Sequence, residues 1–134
     1  MRLPSAFLAL LAALTLAACG SAGTDSSSDF EGDEREVASA VEQLQSAAAD
    51  DDASEICRTL LAKSLLDQVG PGAACRNAVT VALNAVDTTE LDVESVQVSG
   101  TSATARVKSG TGDSATTRTL RLTREGSNWK IAAL

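Results

Sequence analysis

Residues 122–131, LTREGSNWKI, contain two apolar alternations separated by a polar turn. Leu122 ends a segment in which Leu alternates with Thr and Arg, and Trp129 and Ile131 repeat the alternation after the turn. A period of two predicts strands with one buried face, and the Gly-containing turn between them predicts a hairpin. The C-terminal part of the chain is therefore expected to be antiparallel sheet.

The alternation continues upstream of this hairpin. Residues 96–98 and 103–107 place Val and Ala on one face and polar side chains on the other. The phase slips by one residue near Glu94-Ser95, which predicts a bulge or the start of a strand there. Four strands are predicted, over residues 91–99, 103–109, 115–124 and 129–133. Short strands at regular spacing indicate an antiparallel meander with one covered face.

Residues 34–86 show a helical period instead. Apolar side chains recur three and four positions apart, as in Val37, Val41 and Leu44, which predicts amphipathic helices. The Gly70-Pro71-Gly72 segment ends one helix before the next begins. Three helices are predicted, over residues 34–49, 53–69 and 74–86. The expected fold class is α+β, with N-terminal helices packed on a four-stranded antiparallel sheet.

The first 18 residues have the features of a signal peptide. Arg2 precedes an apolar run over residues 3–16, which is too short for a membrane span with proper flanks. Leu16-Ala17-Ala18-Cys19 resembles the bacterial lipoprotein lipobox. This resemblance implies cleavage before Cys19 and a diacylglyceryl thioether on its sulfur, so that the lipid anchors the protein at the extracytoplasmic face of the cell membrane. The alternative is an ordinary secretory leader followed by an unmodified cysteine.

Residues 19–33 are predicted to link this anchor to a folded domain at 34–134. Positions 20–33 are rich in Gly, Ser and Asp and carry few apolar side chains. Such a segment buries too little surface to offset the entropy of ordering it, which favours a flexible tether.

Cys57 and Cys75 are the cysteines that remain when Cys19 is lipidated. An even pair in an exported domain predicts a disulfide, and two buried free thiols are the alternative. The spacing is not Cys-x-x-Cys, and two cysteines without histidine make a poor zinc site. No metal or cofactor is therefore expected.

Composition excludes several function classes. The chain has no His and no Tyr, so it cannot form a Ser-His-Asp or Cys-His nucleophile system from its own residues. Its net charge of −7 makes it a poor candidate for binding nucleic acid. Six cations lie on or beside the predicted strands: Arg106, Lys108, Arg118, Arg121, Arg124 and Lys130. Several of them alternate with Thr, which favours a solvated face of the sheet. The alternative is that they bind an acidic ligand or lipid headgroups.

Helices followed by four strands that end in Leu-x-x-x-Gly-x-x-Trp-x-Ile resemble the nuclear transport factor 2-like superfamily. Residues 122–131 carry this hairpin, and Val96-x-Val98 with residues 103–107 is similar to the family's central hairpin. The resemblance implies a cone, in which a curved sheet wraps around helices and encloses a pocket. Enzymes of the family use Asp, His or Tyr in that pocket, and two of these residue types are absent here.

The expected function is that of a non-enzymatic, membrane-anchored domain that binds a small apolar ligand or a protein partner. One alternative is an isomerase- or dehydratase-like enzyme with a buried carboxylate in the cone, and the candidates are Asp67, Asp87, Glu90 and Asp92. The other is an inhibitor or assembly accessory without a pocket. The sequence does not indicate an oligomeric state.

Overall fold

The computed structural model describes residues 26–87 and 89–134, and it has four helices and one sheet. A 3-10 turn, Ser26–Asp29, precedes the first helix. The helices are α1 (Gly32–Ala49), α2 (Ala53–Glu55, which continues as a π-helical turn over Ile56–Leu60), α3 (Lys63–Val69) and α4 (Ala73–Asn84). The strands are β1 (Leu91–Ser99), β2 (Ser102–Ser109), β3 (Thr116–Glu125) and β4 (Asn128–Ala133). The predicted α+β class is confirmed.

The sheet is an antiparallel meander with the strand order β1-β2-β3-β4. The register of β1 against β2 shifts between Val93 and Ser95, which confirms the predicted bulge. The inner face carries alternating buried residues, because one side chain in two points toward the helices. Ala105 pairs with Leu120, and Leu122 pairs with Ile131, so the buried positions meet across the strands.

Helix α1 packs against the inner face of this sheet and contacts β1, β2 and β4. Val37 and Val41 are fully buried, and they belong to the same hydrophobic core as Val107 and Ile131. Trp129 is 5% exposed and lies in this core, as predicted.

The prediction of one continuous helix over residues 53–69 is wrong. Leu61 has an extended backbone, and its strand-like bridge to Ile131 runs parallel to β4. The N–H of Ala62 donates to the carbonyl of Ile131 over 2.8 Å, and α3 begins only after this contact. Pairing with the edge of the sheet outweighs helical periodicity here, because it satisfies backbone groups that the buried end of β4 would leave unpaired.

At the opposite edge of the sheet, side chains bind the first residues of β1. The N–H of Leu91 donates to the Gln45 amide oxygen over 3.3 Å, and the N–H of Val93 donates to the Ser26 hydroxyl over 3.2 Å. Ser26 in turn donates to an Asp92 carboxylate oxygen over 3.0 Å and is 5% exposed.

The segment before α1 therefore differs from the predicted tether. Residues 26–33 were expected to belong to the tether, yet Ser26 is buried and Phe30 packs on the core. The N–H of Ser27 also donates to Glu42 over 2.7 Å. These hydrogen bonds and the packing of Phe30 hold residues 26–30 against α1 and β1.

Candidate functional site

A disulfide fixes α4 to the remainder of the helices. Cys57 lies on the π-helical turn and Cys75 in the first turn of α4, and their sulfurs are bonded as predicted. Cys75 is the one buried residue of α4 among those that the structure describes. The disulfide thus holds the N-terminal end of a helix whose remaining residues are exposed or half-buried.

Beyond Cys75, α4 forms one wall of an open depression, which we call the apolar cleft. Its volume is about 290 Å³. Thirteen of its fourteen lining residues are apolar, and Thr89 is the exception. They come from α1, the 56–61 segment, α3, α4, the start of β1 and the C-terminus; examples are Leu44, Leu61, Leu65, Val79, Leu83 and Leu91.

The rim of the apolar cleft exposes large hydrophobic side chains. Val69 is 37% exposed, Val86 49% and Leu134 71%, and all three line the cleft. The sequence predicts a buried apolar face on α4, and this face instead borders the cleft, with Val79 and Leu83 half-buried and Ala82 exposed. No helix or strand among the described elements fills the space in front of them, so α4 keeps an apolar surface without a full protein partner.

The four carboxylates proposed for an enzyme do not enter this cleft. All four residues are exposed, and none of them lines the apolar cleft; they are Asp67, Asp87, Glu90 and Asp92. Within residues 26–87 and 89–134, no cluster of three or more carboxylate or cysteine side chains is placed to hold a metal ion. The cleft lining contains no titratable side chain, and the Thr89 hydroxyl is its one polar side-chain group.

A second set of polar interactions surrounds Trp129. The Arg124 guanidinium lies 5.7 Å from the centre of the indole ring and 3.4 Å from carboxylate oxygens of Asp33 and Glu36. The indole N–H is buried, and no described residue accepts its hydrogen bond. Arg124 thus links the start of α1 to the last hairpin, a structural role that the periodicity of the strand could not reveal.

The outer face of the sheet, opposite α1, carries cations. Arg106 pairs in register with Thr119, Thr104 with Arg121 and Lys108 with Thr117. We call the surface of these six residues the basic outer face. Arg118 has the opposite phase, since it pairs with the buried Val107, and it is exposed beyond the helices.

The predicted signal peptide and the lipidation site at Cys19 lie outside the described residues. In the part of the chain that the structure describes, no helix is long and apolar enough to cross a membrane.

Comparisons with protein-family models, with curated proteins and with solved structures gave no match.

Proposed function

We propose that this chain is a lipid-anchored, exported binding protein without enzymatic activity, and that its ligand is a small apolar molecule held in the apolar cleft. The single observation that carries the proposal is the nearly complete apolar lining of that cleft, with three large hydrophobic side chains exposed at its rim. Ligand sites are typically concave and mostly apolar, whereas exposed hydrophobic surface is unfavourable in water unless a partner covers it.

The finer assignment of the fold belongs to the same proposal. The order of helices and strands is the one that the resemblance to the nuclear transport factor 2-like superfamily implies. The cleft lies between the helices and the start of β1, where such a fold has room for a ligand.

The size of the cleft restricts the ligand. A volume of about 290 Å³ is that of roughly ten water molecules in the liquid, at about 30 Å³ each. The two acyl chains of a diacylglyceryl group on Cys19 are several times larger, so this lipid belongs in the bilayer, where each buried CH₂ contributes about 0.8 kcal/mol. The ligand is therefore a compact hydrophobic molecule or the end of one acyl chain.

Naphthalene, which has ten carbon atoms, is a suitable probe. We expect it to bind the wild-type chain and to shift the NMR signals of Val79, Leu83 and Leu91. Ala82→Asp should weaken binding more than tenfold, because a bound ligand would take water away from an ionised carboxylate at the mouth of the cleft. Val81→Asp is the matched control, since Val81 lies on the same helix, is 69% exposed and does not line the cleft. Equal binding by both variants, or no shifts at the cleft, would overturn the proposal.

A protein partner is the second candidate, and the exposed rim favours it. An apolar side chain of a partner would occupy the same cleft. In that case naphthalene would compete with the partner, and a specific cross-link obtained in membranes would be lost in Ala82→Asp and kept in Val81→Asp. The enzyme alternative has less support, because all four candidate carboxylates are exposed. An accessory without a ligand would show no response to the probe.

A further inference from the structure

The basic outer face has donors that the chain itself leaves without ionic partners. Lys108 and Arg121 make no ion pair with any described residue. Arg106 is paired with Glu94 over 3.4 Å, but both side chains are largely exposed, so water screens this contact. Cations and Thr hydroxyls alternate across neighbouring strands about 4.8 Å apart, which gives an open array of hydrogen-bond donors.

Two acidic residues of β1 border this face, because Asp92 stands opposite Lys108 in register and Glu94 pairs with Arg106, but most acidic residues lie elsewhere. Residues 20–94 hold 16 acids and 4 bases, whereas residues 95–134 hold 2 acids and 6 bases. The helices come from the first part and pack on the inner face, and the basic outer face comes from the second part. The two central strands therefore carry more positive charge than the helices, although Arg118 and Arg124 lie in the inner phase of β3 and not on the basic outer face.

We infer that the basic outer face docks on the phosphate groups of an anionic lipid bilayer. The inference rests on the membrane anchorage in the proposed function. Seven residues lead from Cys19 to the buried Ser26, and they span at most about 25 Å when fully extended. The anchor therefore keeps the domain close to the bilayer, although the net charge of −7 opposes its approach.

Short-range attraction then decides the orientation. Electrostatic forces in physiological salt decay over about 8 Å, so a bilayer beside the basic outer face is affected little by the acidic helices on the far side. Guanidinium and ammonium groups donate to phosphate oxygens, and an open face suits a planar surface better than a small anion, which needs a concave site. A second copy of the chain is a less suitable occupant of this face. A contact between the basic sheet of one copy and the acidic helices of another is head-to-tail, and it would not give a closed dimer.

The test measures how fast an N-hydroxysuccinimide ester acylates Lys108 and Lys63. The full chain is expressed with its own leader, extracted in detergent and reconstituted into vesicles of phosphatidylcholine, with or without phosphatidylglycerol. Mass spectrometry quantifies the modification of each lysine. We expect phosphatidylglycerol to slow acylation of Lys108 several-fold, and to leave Lys63 on the exposed start of α3 unchanged.

The variants separate docking from general charge effects. Arg121→Gln should reduce the ratio of docked to undocked domain roughly fivefold, the effect expected of one cation near an anionic surface. Arg76→Gln on α4 is the matched control, because it removes the same charge from an exposed residue on the helical side and should have no effect. High salt should screen the attraction to phosphatidylglycerol and restore fast acylation of Lys108 in the wild-type chain.

Two results would overturn the inference. One is equal reactivity of Lys108 on both kinds of vesicle. The other is protection that rises with protein density on neutral vesicles, which would indicate a second copy. The N-terminal peptide in the same spectra shows separately whether Cys19 carries a lipid, so failed anchorage and failed docking are distinguishable.

Discussion

The N–H of Ala62 donates to the carbonyl oxygen of Ile131 across 2.8 Å, and this hydrogen bond joins the break in the second helix to the edge of the sheet. Ala62 is 0% exposed and Ile131 1% exposed. Loss of this hydrogen bond would destabilise the fold, since a buried donor or acceptor without a partner costs about 1–3 kcal/mol. The contact therefore fixes where α3 begins, and with it one wall of the apolar cleft.

Hydrogen exchange should show this bond directly. We expect the amide of Ala62 to exchange as slowly as the amides in the middle of β3, because it opens only when the sheet edge opens. The amide of Ala73, in the first turn of α4, serves as an unprotected reference. Exchange of Ala62 at the rate of Ala73 would contradict the pairing with β4.

Ser26→Ala should destabilise the fold by about 1–3 kcal/mol, because it leaves the edge N–H of Val93 without its acceptor. Urea denaturation followed by circular dichroism measures the change. Ser95→Ala is the control, since Ser95 also belongs to β1 but is exposed, and it should shift the midpoint very little. Equal effects of the two substitutions would place Ser26 outside the folded domain.

Removal of the disulfide should cost roughly 3 kcal/mol, because the bond closes a loop with a sequence separation of 18. Cys57→Ala with Cys75→Ala, and the wild-type chain in reductant, should have the same lowered midpoint in urea. The loss should be accompanied by faster hydrogen exchange in α4, whose remaining contacts are with α2, the π-helical turn and α3. An unchanged midpoint would show that packing alone holds α4 in place.

Cys19 should carry the lipid. Intact mass of the protein extracted from membranes should correspond to a chain that begins at Cys19 and bears acyl groups. In the Cys19→Ala variant, we expect neither the acylated mass nor cleavage of the chain before residue 19. A mature N-terminus at another residue, without modification, would contradict the predicted localisation.

The strands were predictable because their signal is local. Alternation with a period of two gives the buried face at each position, and the slip near Glu94 marks the bulge from the sequence alone. The cysteine pair was predictable for a similar reason, since two cysteines remain once Cys19 is assigned to the predicted lipobox, and two cysteines allow one intramolecular pairing.

The course of the chain at residues 61–62 was not predictable, because the apolar pattern of residues 56–65 suits a helix as well as a strand-edge contact. Only the position of β4 decides between them, and β4 is about 70 residues away. Ser26 escaped prediction in the same way. One serine in a Gly/Ser-rich segment gives no sign that its hydroxyl lies beside the free edge of β1.

The sequence predicts a site for a small apolar ligand, but it does not predict where the apolar cleft lies. Periodicity shows that Val79 and Leu83 share an apolar face with Val86, but it does not show whether another element covers that face. Coverage depends on the angle at which α4 leaves Gly70-Pro71-Gly72, and local pattern does not encode that angle.

The contacts at the two edges of the sheet also bear on aggregation. Unpaired edge strands recruit strands from other molecules and begin aggregation. Here Leu61 and Ala62 occupy the β4 edge at Ile131, while Gln45 and Ser26 occupy the β1 edge at Leu91 and Val93. A strand that approached these positions would first have to displace the groups bound there, which opposes the addition of a fifth strand at Leu91, Val93 and Ile131. Variants that remove one of these edge contacts, such as Ser26→Ala, should therefore form amyloid-like fibrils sooner than the wild-type chain at high concentration.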